Sequence, residues 1–255
     1  MIQQTRPNRF AAGLARGNPL IGLWLNLSDP DAVEIVASSG FDWVVIDNEH
    51  APRDIDVTAR CLTILEAYGT AAIVRVPGHD RETIGQMLDI GAQTLLVPMV
   101  DTADQARRVA AACEFPPKGT RGVSSQTRAG SWGRDRDFLA HARESIRLIV
   151  QIESARAVDN VDEILAVDGV DAAFVGVADL AASLGHLGDV KHPEVQAAVR
   201  RVTEVAQARG MPLGTLTRNP DDARNYLAQG YAFVGVGTDT ALLARALSTL
   251  REGFA

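Results

Sequence analysis

Residues 41–50 read FDWVVIDNEH and join an apolar stretch to a polar end. The first part is typical of a buried strand, because Val, Ile and Trp suit a strand that is covered on both faces. The last part presents Asp47, Glu49 and His50 together. We therefore predict a barrel or sheet strand that ends in functional side chains.

Seven further apolar runs have a similar length and composition: LIGLWLNL, AAIVRVP, TLLVPMV, RLIVQIE, DAAFVGV, MPLGTLT and YAFVGVG. Longer segments with helical periodicity separate them, and several begin at Asp or Asn and end at Gly. Eight such units in 255 residues fit a (β/α)8 TIM barrel, for which about 250 residues is typical. A doubly wound open sheet is the alternative, since local patterns do not show that a sheet closes.

The composition, with 46% hydrophobic and 22% charged residues, indicates a globular chain. No linker-like tract divides it, so we expect one domain over residues 1–255. A net charge of −7 argues against a nucleic acid or an anionic membrane as partner. With no secretory signal and no apolar run near the ~20 residues that span a bilayer, and with Cys61 and Cys113 far apart, we expect a cytoplasmic protein.

One connection, residues 114–137, is longer than an ordinary loop between elements of a barrel. A functional loop, a subunit contact and an ordinary surface loop are all compatible with its sequence.

Polar residues follow several predicted strands at the carboxyl end, where barrel enzymes place their active sites. Glu153 and Asp179 are two carboxylates that repel each other unless they share a proton or bind a cation such as Mg²⁺ or Mn²⁺. Solvated acids are the alternative, and Asp179 also resembles the N-cap of a helix. Asp47 could orient His50 as a general base, whereas a structural histidine is the alternative. Arg75 either binds an anionic substrate or forms a buried ion pair.

The segments GLWLNLSDPDAVEIVASSGFDWVVIDNEHAPRD, VRVPG, MLDIGAQTLLVPMV, FPPKGTRGV, VQIES and DAAFVGVADLAASLG resemble, in order, the class II metal-dependent pyruvate aldolases. This HpcH/HpaI aldolase family includes 4-hydroxy-2-oxoheptanedioate and 2-dehydro-3-deoxyglucarate aldolases. The resemblance implies a modified (β/α)8 barrel whose last helix is exchanged between subunits, in a homo-oligomer, a hexamer. The implied reaction is the reversible cleavage of 4-hydroxy-2-oxo acids to pyruvate, or a hydroxypyruvate-like donor, and an aldehyde.

The resemblance also implies roles for individual residues. Glu153 and Asp179 would bind Mg²⁺, Mn²⁺, Co²⁺ or another divalent ion. His50, supported by Asp47 and by Asp89 of an adjacent subunit, would serve the acid and base steps.

Arg75 would stabilise the enolate and the aldehyde-derived oxygen. The other implied substrate-binding positions are Trp24, Ser124, Gln151, Gly176, Ala178, Asp179 and Leu216. Glu49 stays without a role.

Two alternatives for function remain at this point. A lyase of the citramalyl-CoA type would share the barrel and the metal, and a non-catalytic barrel that binds oxo acids would lack the reaction. The two lysines, Lys118 and Lys191, lie in loop-like segments rather than at strand ends, which argues against a Schiff-base aldolase.

Overall fold

Eight parallel strands close into a barrel in the computed structural model, which describes residues 6–254. The strands follow one another around the barrel in sequence order. They are β1 (Leu20–Leu25), β2 (Trp43–Asp47), β3 (Ala71–Arg75), β4 (Thr94–Val97), β5 (Arg147–Ile152), β6 (Ala172–Val175), β7 (Leu213–Leu216) and β8 (Phe233–Thr238). The predicted (β/α)8 barrel is confirmed, and the open-sheet alternative is wrong because β1 also pairs with β8.

Helices alternate with the strands around the outside of the barrel. They are α1 (Arg9–Leu14), α2 (Pro30–Ala37), α3 (Ile55–Tyr68), α4 (Arg81–Asp89), α5 (Ala103–Ala112), α6 (Phe138–His141), α7 (Ala155–Asp159), α8 (Val161–Leu165), α9 (Val177–Ser183), α10 (Pro193–Ala208), α11 (Pro220–Ala228) and α12 (Asp239–Glu252). Side-chain caps start many of them; Asp29, Asp54 and Asp80, for example, each accept hydrogen bonds from first-turn amides. Over residues 6–254, none of the helices is both long and apolar enough to cross a bilayer.

Large aromatic side chains fill the inside of the barrel and require glycine on neighbouring strands. An added Cβ at Gly22 would lie 2.1 Å from the indole of Trp43, and one at Gly214 would lie 2.2 Å from the Phe233 ring. Phe10 of α1 packs edge-on against Phe233, with ring centroids 5.1 Å apart. Because α1 precedes β1 and packs at the amino end of the strands, the carboxyl end is the one open to a site.

The long connection at residues 114–137 is anchored by arginines. Arg121 is buried and donates to Asp89 Oδ1 at 2.8 Å, and Arg128 pairs with Glu66. Val123 and Trp132 of the same segment remain 62% and 56% exposed, so the loop carries apolar surface outside the barrel.

The last helix, α12, packs little against its own chain. Asp239 is its buried residue, whereas Leu242, Leu243, Leu247 and Leu250 are 41–63% exposed. The helix therefore has an apolar face that the rest of the described chain does not cover.

Candidate active site

The ends of β2 and β3 hold a buried ion pair at the carboxyl rim. Strand pairing aligns Asp47 with Arg75. Arg75 Nε donates to Asp47 Oδ1 at 2.8 Å and its Nη2 donates to Oδ2 at 2.6 Å, a bidentate arrangement. Burial alone would raise the pKa of Asp47, but the hydrogen bonds and charge of Arg75 hold that pKa below its usual range. Asp47 is therefore a fixed anion that orients the guanidinium.

Arg75 also binds a second carboxylate, Glu49, at 2.7 Å from its Nη1. Burial raises the pKa of Glu49, and Arg75 and His50 oppose that rise. The sequence left Glu49 without a role, and the structure shows that it binds Arg75.

His50 lies differently from the expected arrangement. Its backbone amide donates to Asp47 Oδ1 at 3.3 Å, while its imidazole Nε2 lies 3.8 Å from Glu49 Oε2 and its side chain is 64% exposed. Both oxygens of Asp47 accept from Arg75, and the imidazole is not placed against them, so direct support of His50 by Asp47 stays a prediction. Glu49 is the nearer carboxylate to the ring.

Glu153 follows β5 and is 2% exposed. Its Oε1 accepts from the Met99 amide at 2.7 Å, and its Oε2 accepts from Gln151 Nε2 at 2.5 Å. Burial raises the pKa of Glu153 to about 7; the Met99 amide opposes this, and the nearby Asp179 and Glu49 carboxylates add to it. A buried carboxylate beside other acids is stable as an anion only with a nearby cation.

Asp179 lies in the first turn of α9, close enough to influence the pKa of Glu153. Its interpretation as an N-cap is wrong, because Gly176 is the N-cap residue and provides no side chain to cover the first amides. An added Cβ at Gly176 would lie 2.2 Å from Glu153 Oε2. Glycine at this position therefore makes room for the Glu153 carboxylate beside the start of α9.

The donor set on this side of the rim suits a hard divalent cation. Glu153 and Asp179 supply carboxylate oxygens, and Gln151 Oε1 is a buried acceptor with no hydrogen-bond partner among residues 6–254. Oxygen ligands of this type are those that Mg²⁺ and Mn²⁺ prefer. The residues present therefore fit the expected metal.

The other predicted positions are distributed unevenly. Trp24 is buried, with Arg75 Cζ 5.7 Å from the centroid of its ring, and Leu216 packs with the same aromatic cluster. Ser124 lies half-buried in the long connection and is not hydrogen-bonded to the rim cluster within residues 6–254. Asp89 ends α4 just before β4, at the amino end of the barrel. The structure therefore does not bring Asp89 to His50 of the same chain, and its role across a subunit boundary stays a prediction.

Two residues that help to fix the geometry of the site were not predicted from the sequence. Asp239, at the start of α12, accepts from the Asn26 and Leu27 amides at 2.9 and 2.8 Å and so fixes the end of β1. Met99 has a φ of 54° and directs its amide to Glu153. Asp239 follows a strand and could have been found by the rule that identified Asp47, whereas an apolar Met in a loop carries no such signal.

Comparisons with known proteins agree with the barrel fold. A family model described as HpcH/HpaI aldolase/citrate lyase matches residues 20–246. Over 248 residues the chain is 50% identical to a hydroxypyruvate/pyruvate aldolase of Deinococcus radiodurans, a match covering 97% of this chain and 90% of that protein. It is 48% identical over 253 residues to a 4-hydroxy-2-oxovalerate aldolase of Rhodococcus jostii, covering 99% and 98%. A crystal structure of a family protein from Burkholderia cenocepacia matches with a TM-score of 0.92 and 40% identity, covering 97% of this chain and 100% of that one.

Proposed function

The chain belongs to the HpcH/HpaI aldolase/citrate lyase family and is an aldolase, a carbon–carbon lyase, and we propose that it cleaves 4-hydroxy-2-oxo acids. The products are pyruvate, or a hydroxypyruvate-like 2-oxo acid, and an aldehyde, and the reaction is reversible. The observation that carries this proposal is the buried Glu153 carboxylate near Asp179 and near Arg75, an arginine held by two acids.

Glu153 and Asp179 hold a divalent ion, Mg²⁺ or Mn²⁺, in this proposal. When bound, that ion supplies Lewis-acid stabilisation of negative charge on the 2-oxo acid. Gln151 keeps the Glu153 carboxylate oriented through its Nε2 hydrogen bond. The uncapped amides of Ala178 and Asp179 would face the substrate carboxylate. Gly176 leaves room for the Glu153 carboxylate beside them and so belongs to the proposed binding site.

Arg75 stabilises the oxygen that becomes the aldehyde carbonyl. The proton of the C4 hydroxyl passes to His50 Nε2, the O–H electrons form the new carbonyl, and the C3–C4 bond breaks. The electron pair of that bond goes to the pyruvate enolate, and His50 then returns a proton to C3. Glu49, 3.8 Å from His50 Nε2, supports the imidazolium in this cycle.

Trp24, Leu216 and Ser124 line the space for the substrate in this proposal. Trp24 lies beside Arg75 and so limits the space next to the reacting oxygen. The long connection lies beside Asp89 at the amino end of the barrel, so Ser124 would line the site of a neighbouring subunit.

A homo-oligomer, a hexamer, completes the proposed enzyme. The exposed leucines of α12 support exchange of the last helix between subunits, because such an apolar face is commonly buried against another chain. Val123 and Trp132 support a subunit contact by residues 114–137. In that assembly Asp89 of a neighbour completes the His50 relay, and residues 1–255 act as one domain.

The buried free thiols Cys61 and Cys113 suit a reducing cytoplasm.

The citramalyl-CoA alternative finds little support in the long connection. Its Arg121 and Arg128 are engaged with Asp89 and Glu66. Arg134 and Arg136 are exposed, but the connection precedes β5 and so lies at the amino end of the barrel, away from the rim.

Replacing His50 with asparagine tests the proton-transfer step. We expect exchange of the pyruvate methyl protons in D₂O, followed by NMR, to slow by about 10²- to 10⁴-fold, the usual contribution of a general acid–base group. His141→Asn is the matched control, because His141 lies on α6 and contacts Asp135 away from the rim. An exchange rate in His50→Asn equal to that of the wild type would contradict the assignment.

A further inference from the structure

Two histidines and a glutamate meet on the surface beyond the active site. His186 lies in the segment between α9 and α10, His192 is the N-cap of α10, and Glu194 lies in its first turn. One ligand atom from each side chain lies within 4.8 Å of the others. The proposed reaction does not use these residues.

The three side chains are already arranged by contacts with one another. His186 Nε2 lies 2.7 Å from Glu194 Oε2, and the two imidazole rings stack with centroids 3.4 Å apart. His192 Nδ1 accepts the Glu194 amide at 3.3 Å, which leaves its Nε2 available. The cluster therefore presents imidazole nitrogen and carboxylate oxygen from two points of the chain that the fold holds together.

We propose that His186, His192 and Glu194 form a second metal site that binds a borderline transition-metal ion such as Zn²⁺. Imidazole and carboxylate ligands suit Zn²⁺, Cu²⁺ and Ni²⁺, whereas Mg²⁺ favours sites made of oxygen alone. Zn–N and Zn–O bonds of about 2.0 to 2.2 Å require the ligand atoms to draw somewhat closer together. Rotation of partly exposed side chains supplies that movement, and the fourth ligand position faces solvent.

The charges around the cluster make Glu194 the critical ligand. The positive end of the α10 dipole opposes a cation at this position, and Glu194 supplies the compensating negative charge. Lys191 does not compete for the site, because its ammonium lies 3.3 Å from Asp222 Oδ1.

Zn²⁺ titration of the full-length chain by calorimetry tests the proposal. The protein is first treated with chelator, dialysed, and titrated in excess Mg²⁺. We expect the wild type to bind one equivalent of Zn²⁺ more tightly, by at least about tenfold, than His186→Gln, His192→Asn or Glu194→Gln. Because the variants change only this cluster, the difference in Zn²⁺ affinity between wild type and variants reports on the cluster, even where Zn²⁺ also binds in the active site.

The variants are chosen to keep the local fold. Glutamine at position 186 can still donate to Glu194, and asparagine at position 192 is a favoured N-cap. His141→Asn, which changes a histidine outside the cluster, should bind Zn²⁺ as the wild type does. Equal Zn²⁺ affinity in the wild type and in both histidine variants would overturn the proposal.

Cu²⁺ electron paramagnetic resonance gives an independent result. Coupling to two imidazole nitrogens is expected in the wild type, and to one in His186→Gln or His192→Asn. A spectrum that neither substitution changes would also overturn the site.

Discussion

We expect replacement of Arg75 with lysine to lower kcat for pyruvate release about 10³-fold, which corresponds to about 4 kcal/mol of transition-state stabilisation. The guanidinium is held by Asp47 through two hydrogen bonds and by Glu49 at 2.7 Å. Lysine keeps one positive charge but cannot reproduce the planar fork that these two acids orient. The reacting oxygen therefore loses a preorganised donor. Steady-state release of pyruvate from a 4-hydroxy-2-oxo acid measures the loss.

Arg143→Lys is the matched control for this substitution. Arg143 is also partly buried and pairs with an acid, Asp171, at 3.0 Å, but outside the rim cluster. We expect its kcat to stay near that of the wild type. A kcat in Arg75→Lys within about threefold of the wild type, a difference below about 0.7 kcal/mol, would remove Arg75 from the mechanism. Thermal unfolding of both variants distinguishes a folding defect from a catalytic one.

We expect replacement of Glu153 with glutamine to abolish the proposed response of the enzyme to a divalent metal. We expect kcat to fall at least about 10³-fold, because the proposed ion loses a charged ligand and its electrostatic contribution. Added Mg²⁺ should raise the Tm of the wild type but not of Glu153→Gln, since only a ligand that binds the folded state stabilises it. Glu163→Gln, an exposed acid on α8, serves as the control and should retain both responses.

The same substitution should stabilise the metal-free protein at higher pH. Burial raises the pKa of Glu153 from an ordinary 4.5 to about 7, so the folded chain binds more protons than the unfolded chain between these values. The free energy of unfolding of the wild type therefore falls as pH rises from 4.5 to 7, by about 3 kcal/mol at most. Glutamine does not titrate, so the stability gain of Glu153→Gln in chelator should be present at pH 8 and small at pH 4. A gain that is independent of pH would contradict this account.

The barrel was predictable because its eight strands carry a local signal. Runs such as WVVID and RLIVQI are largely apolar, and in the structure they form β2 and β5. The polar residues after these runs were found by the same rule, which brought Asp47, Arg75 and Glu153 to one rim.

The partners of these residues were less predictable. The register of β2 and β3 pairs Asp47 with Arg75. That register depends on how the two strands align, and the sequence of either strand alone does not predict it. His50 lies three residues beyond Asp47, but the loop turns its imidazole outward to Glu49. Met99 donates its backbone amide to Glu153. Because a backbone amide does not depend on the side chain, the sequence gives no sign of this contact.

The proposed aldol cleavage requires a divalent metal, and removing the metal tests it. Pyruvate release from a 4-hydroxy-2-oxo acid, such as 4-hydroxy-2-oxovalerate, is measured before and after treatment of the wild type with a chelator. We expect release to fall at least about 10³-fold in chelator and to return when Mg²⁺ or Mn²⁺ is added in excess. Undiminished release of pyruvate in chelator would contradict it.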